Sequence, residues 1–301
     1  MFEKVGKNNI VKGNGSFVVI KDSVFYADYY YDYNDGKELT LFTFNTKEKS
    51  RLIDRQESGP LELGVNNRRL SVFRRAWRCS YKEYAIDSLC ANHDKSLDSI
   101  AFSDVDQLQK VNGIFVCAKI SGGGPHILDI YNSKGKLIGS VDPYNGLLDI
   151  IPSPERRYIL GQGCLGYNKS GNYVIYASAY MGIVTLFDVR DNSIIPKKTY
   201  YIGESRPRDV LNFRVTSATK IYAQDICSDD SYTYVLYKDG RVTDKFRYSY
   251  ILRLDKYGHL DCLKASVKLL RICAANNRLY GLADCGSRGA ALVSANLSKI
   301  D

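Results

Sequence analysis

Hydrophobic and polar positions alternate with a period of two in short runs along the chain, and these runs come in pairs. The later run of each pair is an apolar-x-apolar stretch that closes on Asp or Asn ahead of a polar turn. It reads Leu41-Phe42-Thr43-Phe44-Asn45, Tyr84-Ala85-Ile86-Asp87 and Leu128-Asp129-Ile130-Tyr131-Asn132 in the first half. It returns as Thr185-Leu186-Phe187-Asp188, Ile251-Leu252-Arg253-Leu254-Asp255 and Leu292-Val293-Ser294-Ala295-Asn296. The earlier run is visible as Val24–Tyr26, Gly113–Val116, Tyr173–Tyr176, Tyr232–Val235 and Arg278–Gly281. Both runs are predicted to be strands. The closing Asp or Asn is expected to bond backbone amides two residues on, as such side chains do in turns. Lys134-Gly135, Asp239-Gly240 and Tyr257-Gly258 offer glycine where a turn needs positive φ.

The closing residues fall at 45, 87, 132, 188, 255 and 296, in steps of 42, 45, 56, 67 and 41 residues. A unit of about 40 residues built from strands is a propeller period. The expected fold is therefore all-β: a six-bladed β-propeller with blades of four antiparallel strands, forming one domain over residues 1–301. The sixth unit stops at Asp301, just past its third strand, while Phe2–Val11 precedes the first unit's inner strand at Gly15–Lys21. The N-terminal segment is thus expected to supply the missing strand and close the ring, which removes two open sheet edges.

Composition supports strand and a large core. The 301 residues include 24 Tyr and 11 Phe, types that suit a pleated, half-buried surface. Lys and Arg number 42 against 33 Asp and Glu, a formal charge of +9 that favours an anionic partner. The charge-free stretch Gly171–Phe187 falls short of the roughly 20 apolar residues that a membrane helix needs. Met1–Ile10 has two lysines and no apolar block after them, so the chain as written is expected in the cytoplasm, with the periplasm or envelope as the alternative. Eight cysteines lie at least eleven residues apart, which excludes Cys-x-x-Cys metal or redox pairs and favours buried free thiols.

Four constellations invite chemistry. Gly161-Gln162-Gly163-Cys164-Leu165-Gly166 spells a dinucleotide fingerprint, but the strand pattern at Tyr173–Tyr176 follows it where that fingerprint requires a helix. Glycines on a crowded inner strand explain it better. His93, His126 and His259 belong to three different units and form no ligand pair. Asp28, Asp32, Asn34 and Asp35 before Gly36 fit a solvated hairpin tip better than a calcium loop, whose ligand spacing they lack. The basic tract from Arg68 to Lys82 interleaves Arg68, Arg69, Arg74, Arg75, Arg78 and Lys82 with Phe73, Trp77 and Tyr81 and contains no acid. Arg74, Arg75, Trp77 and Arg78 are its candidate binding residues, for a phosphate backbone or an anionic sugar. Strand alternation sends these charges to two faces, which disfavours nucleic acid and leaves a solvated blade surface as the alternative.

Taken over its whole length, and at Gly59-Pro60-Leu61-Glu62, Tyr84–Leu89, Lys169–Ala177, Ile251–Leu260 and Arg278–Ala283, the chain resembles the TolB-like six-bladed β-propellers of Bacteroidetes. That resemblance implies the same fold and brings no catalytic residues. The expected function is a monomeric, non-catalytic binding or scaffold propeller for a protein, glycan or other anionic ligand, with no cofactor and no metal site. A metal-dependent hydrolase or lactonase at the central funnel is the alternative. Asp225, Asp229 and Asp284 are the carboxylates that such a site would gather.

Overall fold

A computed structural model describes residues 2–5, 10–11, 15–20, 23–27, 38–43, 50–53, 61–66, 68–75, 78–90, 96–119, 127–144, 161–203, 216–217, 219–241, 244, 248–286 and 289–297. The protein is all-β in a propeller-like arrangement, and its described α-helix is the five-residue α1 (Ile86–Cys90). No helix among the described residues is long and apolar enough to cross a membrane. The chain divides into two compact units, residues 1–104 with 267–301, and residues 105–266.

Two short N-terminal strands, β1 (Glu3–Lys4) and β2 (Ile10–Val11), open the first unit. They are followed by a meander of β3 (Ser16–Ile20), β4 (Ser23–Ala27), β5 (Glu38–Thr43) and β6 (Ser50–Ile53). A second meander comprises β7 (Leu61–Asn66), β8 (Arg69–Arg74), β9 (Arg78–Ala85) and β10 (Asp98–Ser103). The second unit holds three more. They are β11 (Val105–Val111) to β14 (Leu137–Val141) through β12 (Ile114–Lys119) and β13 (Leu128–Tyr131), then β15 (Gly163–Asn168), β16 (Tyr173–Ser178), β17 (Ile183–Arg190) and β18 (Ser193–Tyr201). The last is β19 (Lys220–Ser228), β20 (Thr233–Arg241), β21 (Ser249–Leu254) and β22 (Leu260–Ala265). The chain ends in the first unit with β23 (Leu269–Ala275), β24 (Arg278–Asp284) and β25 (Ala290–Asn296).

Each closing phrase begins on the third strand of a sheet, with Phe44 and Asn45 of the first outside the described residues and Ile86-Asp87 of the second in α1, and the five earlier runs fall at second strands. The blade count differs from the expected six of four strands. Five sheets are four-stranded blades, and the remaining sheet has five strands because the N-terminal chain meets β25 in two pieces. Glu3 and Lys4 pair with Ser294 and Val293, Val5 N donates to Leu292 O at 3.0 Å, and Ile10 and Val11 pair with Ala291 and Ala290.

Turn chemistry explains where strands stop. Asn132 Oδ1 accepts from Lys134 N and Lys136 N, both at 3.0 Å, and Asp255 Oδ1 accepts from Tyr257 N and His259 N at 2.9 and 2.8 Å. Gly135 and Gly258 follow with φ of 75° and 81°. Asn112-Gly113 and Asn276-Asn277, all at positive φ, make the two-residue hairpins that follow β11 and β23. Three expected turns are absent. Asp87 sits in α1, and Asp188 lies inside β17. Gly240 stays in β20 opposite Ile221, where the register shift absorbs the extra residues that the turn was expected to take.

Each unit packs its own cores. In the first, Phe17, Val19, Phe25 and Leu70 lie with Tyr280 and Leu292. In the second, Val116, Leu128, Ile130, Val174 and Phe187 form one cluster, and Ile175, Val184, Leu186, Tyr222, Val235 and Leu252 another. First strands run side by side within each unit, β23 beside β3 and β3 beside β7, and β11 beside β15 and β15 beside β19. Side chains lock two of these seams. Leu63 N donates to Ser16 Oγ and Leu165 N to Gln107 Oε1, each at 2.9 Å.

Candidate functional site

The basic tract is folded into the second sheet of the first unit, and its neighbours neutralise part of it. Arg69 Nη1 lies 3.1 Å from Glu83 Oε2 and 3.7 Å from Asp98 Oδ2. Arg74 Nε donates to Ser80 Oγ at 3.3 Å, and Arg75, with a side chain only 17% exposed, ion-pairs with Glu62. Arg78 opens β9 opposite Ser103, and Trp77 lies outside the described residues. Arg74 and Arg75 are therefore engaged within their own sheet, and of the four candidate residues these two have described side chains. The acids that engage the tract, Glu62 and Glu83, stand just outside it in sequence and arrive from neighbouring strands, opposite Phe73 and Ser71.

Glu83 is 1% exposed and also accepts from Tyr81 Oη at 2.6 Å. Burial, reinforced by the Glu83 carboxylate, pushes the Tyr81 hydroxyl far above the ordinary tyrosine range. A second buried carboxylate, Asp129, receives Ser140 Oγ at 2.5 Å, Lys119 Nζ at 3.0 Å and Tyr131 Oη at 3.4 Å.

Two of the three carboxylates nominated for a metal, Asp229 and Asp284, have structural work. Asp229 Oδ1 accepts from Ser231 N and Tyr232 N at 2.7 Å, closing the hairpin between β19 and β20, while its Oδ2 accepts from Tyr234 Oη at 3.1 Å. Asp284, in the other unit, accepts from Lys268 Nζ at 2.6 Å and Gly286 N at 2.8 Å. Asp225 lies on β19 opposite Leu236. Among the described residues no three His, Cys, Asp or Glu side chains are grouped to hold a metal ion. His259 is exposed and pairs with Asp255 at 2.9 Å, while His93, His126 and the Asp28–Gly36 loop lie outside the described residues. Cys79, Cys117, Cys164 and Cys273 are buried, but Cys262 is exposed.

Lys268 first, and then the Gly286 amide, hold the Asp284 carboxyl below the usual aspartate range. For Asp255, burial pushes the carboxyl up, but donors from His259 and Tyr257 outweigh it and hold it low. A lowered folded-state pKa gives stability that is full above the unfolded value of about 4 and is lost as the pH falls through the folded value. Asp284→Asn with Asp255→Asn is expected to flatten the fall in melting temperature below about pH 4. An unchanged acid slope would show that these carboxylates carry none of it.

The glycine fingerprint lies on β15, and close packing requires its glycines. A Cβ on Gly163 would meet Ala177 O at 2.4 Å, and one on Gly166 would meet Ile226 Cδ1 at 2.7 Å. Beside it, fully buried tyrosines form a network. Tyr176 Oη donates to Gly161 O at 2.6 Å, and Tyr144 Oη lies 3.2 Å from Tyr176 Oη and donates to Ser178 Oγ at 2.7 Å. Other hydroxyls link β15–β18 to β19–β22: Tyr173 donates to Asp255 O, Tyr200 to Gly258 O, and Tyr237 to Ile202 O at 2.7 Å. Tyr176→Phe is expected to cost about 1–2 kcal/mol, read as a lower urea midpoint at constant slope. An unchanged midpoint would contradict a structural role for that hydroxyl.

The outer edge of the same two sheets carries lysines over tyrosine rings. Lys198 Nζ is 4.4 Å from the Tyr200 ring centroid, Lys256 Nζ is 4.9 Å from that of Tyr257, and Lys264 Nζ is 4.2 Å from that of Tyr248. Lys197 is paired with Asp188 and lies 5.9 Å from the Tyr173 ring. Tyr201 and Tyr257 are each 67% exposed.

No family profile matches the chain, and no curated protein matches it. Solved structures do. A Bacteroides fragilis protein described as exported is 12% identical, with 98% of this chain and 93% of that one covered and a TM-score of 0.56. A Lactobacillus plantarum protein is 10% identical over 94% and 81% of the two chains, with a TM-score of 0.54. The periplasmic gluconolactonase of Pseudomonas aeruginosa is 10% identical over 94% and 85%, with a TM-score of 0.53. At these identities the likeness is one of fold alone, and the chain has the fold of propeller-type proteins.

Proposed function

We propose that this protein is a non-catalytic recognition propeller for an anionic partner, a single domain whose last sheet is completed by the N-terminal chain through the β1–β2–β25 pairing. The observation that carries the choice of binding over catalysis is the employment of the carboxylates. Asp229 and Asp284, nominated for a metal, are filled by backbone amides, a tyrosine and a lysine, as the buried Glu83 and Asp129 are filled by their own sheet partners. Loops on a rigid strand frame then serve recognition, and the +9 charge selects anions. The kinship with TolB-like propellers belongs to the same proposal.

The gluconolactonase among the similar structures keeps a lactone-hydrolysing alternative in view. The cytoplasmic location expected from the N-terminal residues finds no support among the similar structures. A protein described as exported and a periplasmic enzyme among them make the periplasm the location to test by fractionation. The binding proposal is tested by presenting the full chain to an array of anionic and neutral glycans, acidic proteins and nucleic acids at two salt concentrations. Salt-sensitive retention of anionic ligands is expected. Retention of neutral ligands only, or of none, would overturn it.

A further inference from the structure

We propose that the anion-recognition surface lies in the second unit, on the outer strand β18 and the turn from β21 to β22, and that its ligand is a uronate-bearing polysaccharide. This rests on the binding function proposed above and assigns its site away from the arginine tract, where Glu62, Glu83, Asp98 and Ser80 engage Arg69, Arg74 and Arg75.

The surface is continuous. Lys198 lies over Tyr200, whose hydroxyl donates to Gly258 O. Gly258 sits in the turn that carries Lys256, Tyr257 and His259, and the rings of Tyr257 and His259 are 6.0 Å apart. The local acids are spent: Asp188 pairs with Lys197, and Asp255 accepts from Tyr257 N, His259 N and His259 Nδ1. Lys198 and Lys256 are exposed, and their interactions in the structure are with aromatic rings rather than carboxylates. Among the described residues of this surface, Lys198 and Lys256 are then exposed cations beside the exposed Tyr257 ring.

That chemistry fits an acidic sugar. A pyranose ring lays its C–H face on an aromatic ring, a lysine ammonium meets a carboxylate as a point charge, and the rigid turn holds both in place. A nucleic-acid backbone is a poorer fit. Phosphate recognition favours the planar arginine fork, and the cations of this surface are lysines.

The test is calorimetric titration of the full chain with an oligogalacturonate, a neutral oligogalactose and oligo(dT), repeated on Lys198→Glu with Lys256→Glu, on Tyr257→Ala and on Arg74→Gln with Arg75→Gln. Melting temperatures establish that each variant is folded. The expected result is salt-sensitive uronate binding, weakened at least about tenfold in the double lysine variant and in Tyr257→Ala and unchanged in the arginine variant. One such tenfold loss corresponds to about 1.4 kcal/mol. Uronate binding lost only in the arginine variant would overturn this site while leaving the binding function standing. Oligo(dT) binding without uronate binding would overturn the glycan assignment, and no binding of either anion would overturn the site and count against the binding function.

Discussion

Removing residues 1–14 is expected to lower the melting temperature by on the order of 5–10 °C and to make the chain self-associate. Those residues contribute β1 and β2, which pair antiparallel along β25 from Ser294 to Ala290. Val5 packs against the core that contains Leu282 and Leu292. Without them, β25 presents a row of unpaired amides and carbonyls, each worth about 1 kcal/mol once its partner is lost. Such an edge also templates pairing with a second copy. A truncated chain that stays monomeric by light scattering and melts at the wild-type temperature would refute the role assigned to this pairing.

Glu83→Ala is expected to cost about 2–3 kcal/mol, below the usual range for a broken buried pair because Arg69 is half exposed. The variant leaves the buried Tyr81 hydroxyl without its carboxylate acceptor and Arg69 with only Asp98, 3.7 Å away, as an ion-pair partner. Glu83→Gln keeps an oxygen for Tyr81 and is expected to recover about half of the loss. Urea unfolding of the three proteins decides the matter. Equal stability of wild type and Glu83→Ala would mean that Glu83 is not structural and is free for another task, which would reopen the catalytic alternative.

The strand order was readable in the sequence because strand pairing leaves a period-two signature and some of the repeats end in recognisable turn chemistry, as at Asn132 and Asp255. The misplaced turns have local causes. Ile86-Asp87 continues the apolar alternation in letters but enters α1, and Asp239-Gly240 reads as a hairpin while a bulge carries it through β20. Asn112-Gly113 is a hairpin signal of the strongest kind, and Asn276-Asn277 makes the same two-residue turn with both residues at positive φ.

The site was less legible. Glu62 and Glu83 engage the arginine tract across strands, so a window confined to residues 68–82 shows basic residues and no acid. Tyrosine looked like a strand former, whereas Tyr173, Tyr200 and Tyr237 donate to backbone carbonyls 82, 58 and 35 residues away. Every residue owns a carbonyl, so such partners leave no trace in residue identity. The proposed lysine–tyrosine surface joins the outer strand of one sheet to a turn of another through the Tyr200 hydroxyl on Gly258 O, a link between positions 58 residues apart.

The most direct test of the central claim, that the carboxylates hold the sheets together and perform no catalysis, is calcium titration of the full chain coupled to a lactone and ester hydrolysis panel. The account predicts no stoichiometric calcium binding and no turnover above the uncatalysed rate. Stoichiometric calcium binding with turnover, both abolished by Asp225→Ala in a protein that remains folded, would contradict it.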